Sequence, residues 1–423
     1  MNMDIFSKKN DSKRIVIIGA GFGGIEIVKG LNTSKYEVLL IDKHNYFTFQ
    51  PLLYQVATGG LEPDSVAYPI RKIISKKHNV VFRMAEVMEI QTTIKQIKTN
   101  IGLLPYDILI LACGAKTNFF GMKETMENAL SLKTVTDSLN MRSFILQNFE
   151  AALLSSVKEE QKRLMNFVIV GGGPTGVEIS GSLAELKRHV LPNDYPELDL
   201  SMMNINIVES SNNVLDAMSD FSKRKSKKQL EELGVKIMLN SQLVSYDGKV
   251  ATLKDGTQIS TSALIWTAGV MGNIPIGFAP DIIVRGNRLS VDVYNRIKGN
   301  EDVFAIGDVA SMENNPHPML APVAMQQGKN LAKNLNKKNI SEWKKFTYSD
   351  KGTMATIGRS RAVADLKFIH LKGILAWLAW LFIHLMLLVG FRNRVIVFFN
   401  WVWNYFSYDK AIRLIIRPYK KNN

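Results

Sequence analysis

The feature that most constrains this chain is a glycine-rich sequence that occurs twice, each time directly after an apolar run. Gly19-x-Gly21-x-x-Gly24 follows IVII, and Gly171-x-Gly173-x-x-Gly176 follows FVIV. In a strand–turn–helix unit the first glycine permits a tight turn, the second lets the backbone approach a pyrophosphate, and the third lets the helix pack closely. The helix N-terminus then offers free N–H groups to the phosphates. The duplication predicts an α/β fold with two Rossmann-like dinucleotide-binding domains.

An acidic residue follows each copy at the end of the next predicted strand. Asp42 lies 18 residues beyond Gly24, where a carboxylate accepts hydrogen bonds from ribose hydroxyls. Glu209 is the corresponding residue of the second copy, and the segment LPNDYPELDLSMM is interpreted as an insertion that accounts for its longer spacing. No arginine follows Glu209 in the stretch Ser210 to Asn213, so NADH is preferred over NADPH.

The single cysteine, Cys113, excludes both an intrachain disulfide framework and a Cys-x-x-Cys redox pair. It lies in the apolar run ILILACGA and is interpreted as a small buried core residue. Two dinucleotide sites without redox cysteines indicate one bound flavin and one exchanging nicotinamide, so the predicted cofactors are FAD and NADH. In VFAIGDVA, Asp308 follows a buried strand and a glycine, where its carboxylate can reach a cofactor's sugar chain. The candidate cofactor-binding residues are Gly19, Gly21, Phe22, Gly23, Gly24, Asp42, Lys43, Gly114, Asp308, Gly171, Gly173, Gly176, Glu209 and Gly269.

Composition limits the possible partners. The 423 residues are 46% hydrophobic and 22% charged, as in a folded protein of two or three domains, and the net charge is +15. No nucleic-acid-binding motif accompanies this charge, so an anionic membrane is the favoured partner. No Cys, His, Asp and Glu cluster has metal-ligand spacing, and no nucleophile motif occurs. The polar start, MNMDIFSKKNDSKR, does not resemble a secretory signal, which predicts a cytoplasmic location.

The C-terminal region predicts contact with a membrane. From Gly373 to Phe391 there are 19 residues in which His384 is the only titratable one. This length leaves three alternatives: a membrane span, a buried helix, or a helix at the membrane surface. The following segment mixes Arg and Lys with Trp, Phe and Tyr, as expected in the headgroup zone of an anionic bilayer. One apolar segment cannot form a proton path, so no proton pumping is predicted.

Motifs along nearly the whole chain resemble one family. They are GAGFGG at 19–24, FQPLLYQVATGGLEP at 49–63, GGGPTGVEISGSLAEL at 171–186, ALIWTAGV, VFAIGDVA, APVAMQQG at 321–328, and DKGTMATIGRSRAVADL followed by GILAWLAWLFIHLMLLVGFRNR. With these motifs the chain resembles the type II NADH:quinone oxidoreductases, single-subunit flavoenzymes of respiratory membranes. The resemblance implies hydride transfer from NADH to FAD, then reduction of a membrane quinone, by an enzyme attached to one membrane face. A homodimer built through the C-terminal helices is expected.

The resemblance also implies roles for three residues. Glu178 matches an acidic residue near the flavin and nicotinamide, and Gln326 and Gln327 match glutamines beside the flavin and the quinone channel. Some members carry Ala-Gln where this chain has Ala321-Pro322.

The expected domains are 1–125 with 285–365 for FAD, 126–284 for NADH, and 366–423 for membrane attachment. Two alternatives are a soluble reductase with a ferredoxin-type acceptor, which would not need the aromatic, basic C-terminal region, and a non-catalytic NADH-sensing protein.

Overall fold

The computed structural model describes residues 12–407, 413–415 and 417–419. The predictions that involve residues 1–11, 408–412, 416 and 420–423 lie outside the described residues. The chain forms two compact units. Unit 1 comprises Met1–Phe47, Tyr68–Lys116 and Val270–Asp350, and unit 2 comprises Thr48–Ala67, Thr117–Gly269 and Lys351–Asn423.

The α-helices of the described residues are four to 20 residues long, and the longest lies before the second glycine sequence. In chain order they are α1 Phe22–Gly30, α2 Leu53–Ala57, α3 Pro63–Val66, α4 Ile70–Ile74, α5 Lys123–Asn128, α6 Val135–Leu154, α7 Lys158–Leu164, α8 Pro174–His189, α9 Leu191–Asp194, α10 Asp220–Glu232, α11 Ala321–Leu335, α12 Gly373–Leu387 and α13 Phe391–Ser407.

The strands are also short. In chain order they are β1 Lys13–Ile18, β2 Tyr36–Asp42, β3 Tyr46–Thr48, β4 Ala67–Pro69, β5 Val80–Met84, β6 Val87–Gln91, β7 Gln96–Thr99, β8 Gly102–Pro105, β9 Ile108–Leu111, β10 Ala115–Thr117, β11 Leu130–Ser131, β12 Asn166–Val170, β13 Asn204–Val208, β14 Lys236–Met238, β15 Leu243–Tyr246, β16 Val250–Leu253, β17 Gln258–Ser260, β18 Ala263–Trp266, β19 Val270–Gly272, β20 Ile283–Val284, β21 Arg288–Val291, β22 Val303–Ala305, β23 Ala310–Met312, β24 Thr353–Gly358, β25 Arg361–Leu366 and β26 Ile369–Lys372.

Unit 1 is built on a parallel five-stranded sheet in the order β22-β9-β1-β2-β5. The strand before the first glycine turn is central, and Ile15, Val16 and Ile17 are fully buried. Burial on both faces explains why this strand is a continuous apolar run rather than an alternating one. An antiparallel sheet, β6-β7-β8, belongs to the same unit.

Unit 2 repeats this plan with a parallel sheet in the order β11-β18-β12-β13-β14. Its central strand, β12, precedes the second glycine turn and is buried throughout. An antiparallel sheet, β15-β16-β17, again accompanies it. The predicted duplication of a strand–turn–helix–strand unit is therefore confirmed in the structure.

The apolar run Gly373–Phe391 does not form one helix. Helix α12 ends at Leu387, Leu388 is extended, and Gly390 has a φ of +89°, a left-handed conformation that ends helical geometry. The chain then begins α13 at Phe391. Within the described ranges, no helix is both long enough and apolar enough to cross a bilayer.

Candidate dinucleotide sites and an aromatic pocket

The first glycine turn, in unit 1, has the geometry that the motif requires. Gly19 has a φ of +102°, and a Cβ there would collide with the carbonyl of Ala112. A Cβ on Gly24 would collide with the Gly19 carbonyl oxygen. At Gly21, by contrast, a Cβ would meet no atom within 4 Å. Gly19 and Gly24 are therefore packed closely against the protein backbone. The space beside Gly21, the second glycine, is open and can accept a pyrophosphate.

Asp42 holds this turn through both carboxylate oxygens. Its Oδ2 accepts a hydrogen bond from the Ala20 N–H at 2.7 Å, and its Oδ1 accepts one from the His44 N–H at 2.8 Å. A carboxylate offers about four acceptor positions, so capacity remains for a ribose hydroxyl. The structure thus gives Asp42 a role in shaping the turn that the sequence analysis did not include.

The second glycine turn, in unit 2, repeats these contacts. Gly171 has a φ of +106°, a Cβ on Gly176 would collide with the Gly171 carbonyl oxygen, and a Cβ on Gly173 would meet nothing within 4 Å. Glu209 Oε2 accepts from the Gly172 N–H at 2.5 Å, and its Oε1 accepts from the Ser211 N–H at 2.7 Å. The residues of both turns therefore fit a dinucleotide.

The other candidate residues of unit 1 have different surroundings. Phe22 is half-buried and packs edge-on against Phe47, with ring centroids 5.1 Å apart. Gly23 lies against α11 and the side chain of Ile306, so close helix packing requires a glycine there. Lys43 is exposed, and Gly114 has a φ of +67° with open space where a Cβ would point.

The predicted glutamines of α11 hold backbone segments of unit 1. Gln327 is only 2% exposed, and its Oε1 accepts a hydrogen bond from the Gly307 N–H at 2.7 Å. This bond fixes the 3₁₀ turn Gly307–Val309, which carries Asp308. Gln326 forms two hydrogen bonds of 3.0 Å with the backbone of Ser349, one through each end of its amide. Neither contact was foreseen from the sequence.

Gly269, in unit 2, packs against an aromatic side chain. A Cβ there would lie 2.8 Å from the ring of Phe120, and the Gly269 carbonyl accepts a hydrogen bond from the Asn118 N–H at 3.1 Å. In unit 1, Cys113 is half-buried and packs against the core, so the prediction of a fully buried residue is wrong. Its surroundings still raise the pKa of the thiol to about 12, so the thiol stays protonated. Among the described residues, no three His, Cys, Asp or Glu side chains are placed to share a metal ion.

Unit 2 contains a cavity of about 130 Å³ that the sequence analysis did not predict as a whole. Helices α2, α8, α12 and α13 and strand β24 contribute to its wall. The side chains that give it its chemistry are Tyr54, Gln55, Glu178, Glu185, Trp377, Trp380, Trp401 and Tyr405. Apolar aromatic walls with a few polar groups are typical of a site for a small organic molecule.

Glu178 is a buried acid in the wall of this pocket. It is 9% exposed, and burial raises its pKa well above the usual value for a glutamate. The Thr356 backbone N–H and the Trp380 side chain oppose this rise to a smaller extent. Among the described residues no cation pairs with Glu178, so the carboxyl is held in its protonated form to an unusually high pH.

His384, on α12, belongs to the packing of this region. Its ring stacks on Trp380 with centroids 4.0 Å apart, and its Nδ1 lies 2.8 Å from the Trp380 carbonyl oxygen. Burial lowers its pKa to about 4, so the ring is neutral at physiological pH. This supports the interpretation of His384 as a packed residue.

Known proteins match the chain along almost its whole length. The profile of the pyridine nucleotide-disulphide oxidoreductases matches residues 13–328, which defines the class of protein, and the NDH2 C-terminal domain matches residues 351–407. A type II NADH:quinone oxidoreductase of Mycobacterium tuberculosis is 34% identical over 93% of this chain and 88% of the relative. A second from the same organism is 36% identical over 92% of this chain and 86% of the relative. The chain belongs to the type II NADH:quinone oxidoreductases, enzymes that use FAD and NADH.

The fold agrees with this family. The structure of NDH2 from Plasmodium falciparum in complex with NADH superposes with a TM-score of 0.89. The match covers 96% of this chain and 100% of that chain at 24% sequence identity. The predicted family, fold class and cofactors are thus confirmed.

Proposed function

We propose that this chain oxidises NADH and delivers two electrons to a membrane quinone without moving protons across the bilayer. The observation that carries the proposal is the position of Glu178. This buried carboxyl lies on the helix that begins at the second glycine turn, and it faces an aromatic pocket. A perturbed acid in such a pocket is characteristic of a reaction site.

We propose that the two turns divide the cofactors between them. Gly19, Gly21, Phe22, Gly23, Gly24, Asp42, Lys43, Gly114 and Asp308 would hold FAD, and Gly171, Gly173, Gly176, Glu209 and Gly269 would hold NADH. The open space at Gly21 and Gly173 supports this assignment. The proposed domains remain 1–125 with 285–365 for FAD, 126–284 for NADH, and 366–423 for the membrane. FAD, when bound, supplies the two-electron chemistry.

In the proposed mechanism the aromatic pocket receives the quinone ring and excludes water around Glu178. The protonated Glu178 carboxyl can donate a hydrogen bond to an oxygen of a bound quinone and can supply a proton as that oxygen gains charge. Gln326 and Gln327 are proposed to line the flavin and quinone path. Their bonds to the backbone at Ser349 and Gly307 support a role in fixing its shape.

The proposed membrane surface is formed by α12 and α13. Large apolar side chains on these helices are strongly exposed, among them Leu375, Phe382, Phe391, Trp403 and Phe406. Asn393 and Val397, on another face of α13, are buried. A helix that lies in the interface of a bilayer typically has one exposed apolar face and one face packed against the protein. The net charge of +15 favours the anionic cytoplasmic leaflet.

A homodimer is proposed as well, with part of the exposed apolar C-terminal surface buried between two copies. Exposed apolar patches of this extent are unusual on a monomer in water. Mass measurement of the detergent-solubilised protein at several concentrations tests this proposal. A single-chain mass at every concentration contradicts it.

The test of the main proposal is spectroscopic. NADH should bleach the flavin spectrum of the purified protein under anaerobic conditions, and a short-chain quinone should restore it. Restoration by a ferredoxin-type protein but not by quinone would favour the soluble reductase, and absence of turnover with either would favour the NADH sensor. Acidification of sealed vesicles containing only this enzyme, during turnover, would contradict the absence of proton pumping.

A further inference from the structure

The hydroxyl group of Tyr54 has an incomplete set of hydrogen bonds in the aromatic pocket. Tyr54 lies on α2, is 6% exposed, and contributes to the pocket wall with Glu178 and Trp380. Its oxygen accepts a hydrogen bond from Gln55 Nε2 at 2.9 Å. Among the described residues, no atom accepts the hydroxyl's own proton. A buried O–H without an acceptor is costly unless a ligand completes it.

The direction of the Gln55 bond is fixed by a second bond. Trp401 Nε1, on α13, lies 2.8 Å from Gln55 Oε1. An indole N–H can only donate, so the atom of the Gln55 amide facing it must be the oxygen. The NH2 group of that amide therefore faces Tyr54 and can only donate in turn. Trp401 therefore donates a hydrogen bond to Gln55, and Gln55 donates one to Tyr54. The proton of the tyrosine hydroxyl is left to be donated to a ligand.

The tyrosine remains protonated under working conditions. Burial raises the pKa of Tyr54 well above its usual value, and ionisation of Glu178 would raise it further. A neutral phenol with its oxygen already accepting one bond is a stronger donor, because hydrogen bonds in a chain polarise one another.

We propose that the Tyr54 hydroxyl donates a hydrogen bond to a ring carbonyl oxygen of the quinone, with Gln55 and Trp401 as positioning residues. The inference rests on the proposed function, which places the quinone in this pocket. A quinone carbonyl is an acceptor only, so it matches the missing partner of Tyr54. As the ring is reduced its oxygen gains negative charge, and the bond strengthens where stabilisation is needed.

The first test is Tyr54→Phe, which removes the hydroxyl and keeps the ring. We expect kcat/KM for a short-chain quinone to fall about tenfold, as for one lost hydrogen bond. Bleaching of the flavin by NADH should keep its wild-type rate. Quenching of tryptophan fluorescence by the same quinone, measured without NADH, should shift to higher quinone concentration. The matched control is Tyr106→Phe in unit 1, because the buried Tyr106 hydroxyl has no partner among the described residues.

The second test asks whether Trp401 acts through Tyr54. Trp401→Phe keeps one aromatic ring and removes the donor N–H together with part of the bulk of the indole. We expect it to lower kcat/KM for quinone about threefold in the wild type and to have no further effect in Tyr54→Phe. A merely structural role of Trp401 would give equal effects in the two backgrounds.

The outcomes separate this inference from the proposed function. If the wild type reduces quinone and Tyr54→Phe does so with unchanged kcat/KM and unchanged quenching, the hydrogen bond does not exist. If the wild type itself does not reduce quinone, the proposed function fails first. If Tyr54→Phe fails to fold, the inference is tested with Trp401→Phe instead. An unchanged kcat/KM for quinone in that variant overturns the inference.

Discussion

The two glycine turns each place a glutamate two residues after the third glycine, and the two glutamates have opposite surroundings. Glu26 and Glu178 are equally buried, each 9% exposed. Glu26 pairs with Lys29 at 2.9 Å and with Lys329 at 3.5 Å. Glu178 has no cation partner among the described residues, and burial raises its pKa. The duplicated sequence therefore produces a structural ion pair in one unit and a perturbed acid in the other.

One part of this difference lies three residues further along each helix, and the other is Lys329 of α11, which pairs with Glu26 alone. Where α1 has Lys29, α8 has Gly181. A Cβ at Gly181 would collide with the carbonyl of Ile357 on β24, so no larger residue fits there. The glycine thus lacks the cation that Lys29 supplies in α1, and it allows the close approach of β24 to α8. The repeated turn fixes the position of the glutamate in each unit. The residues around that glutamate determine whether it forms ion pairs or is a buried acid with a raised pKa.

The largest expected effect compares Glu178→Gln with Glu26→Gln. The amide in Glu178→Gln would keep the shape of the side chain but could not supply a proton, so quinone turnover should fall by about 100-fold or more. Glu26→Gln should leave quinone turnover near wild type and lower the free energy of unfolding by up to about 1 kcal/mol, as for partly exposed ion pairs. Steady-state rates and denaturant unfolding measure the two effects. Equal losses of turnover in both variants would contradict the comparison.

The sequence predicted what depends on local backbone chemistry. The turns at Gly19 and Gly171 and the acidic residues Asp42 and Glu209 follow from short motifs whose geometry needs only neighbouring residues. The aromatic pocket did not follow, because Tyr54, Glu178, Thr356 and Trp401 come from four distant parts of the chain. The motif FQPLLYQ was the available signal, but nothing in it shows that Gln55 meets an indole N–H from α13.

A second prediction concerns a feature that both turns share. Asp42 and Glu209 each accept two backbone N–H groups, so Asp42→Asn and Glu209→Gln should each lose one such bond. We expect about tenfold weaker retention of FAD in the first variant and an about tenfold higher KM for NADH in the second. Flavin released on dilution and NADH kinetics measure these effects. Loss of FAD from Glu209→Gln would show that the two turns do not act separately.

Glu209→Gln also removes the negative charge that disfavours a 2′-phosphate. The ratio of kcat/KM for NADPH to that for NADH should therefore rise in this variant, while Asp42→Asn should leave the ratio unchanged. An unchanged ratio in Glu209→Gln would show that Glu209 does not set the preference for NADH.

The last expected effect is on stability, and it appears only as the pH changes. Because burial raises the pKa of Glu178 in the folded state, the folded protein keeps a proton that the unfolded chain releases above the ordinary pKa of 4.5. The stability contributed by this group is therefore full below pH 4.5 and is lost as the pH rises toward the folded pKa, by at most about 1.4 kcal/mol per pH unit. Glu178→Gln cannot titrate, so its Tm relative to wild type should rise steadily over this window. Glu26→Gln retains Glu178, so its Tm should still fall as the pH rises through this window. Parallel curves for Glu178→Gln and wild type would mean that the Glu178 carboxyl titrates alike in the folded and unfolded chains, and the contrast between the two glutamates would then be one of packing rather than of charge.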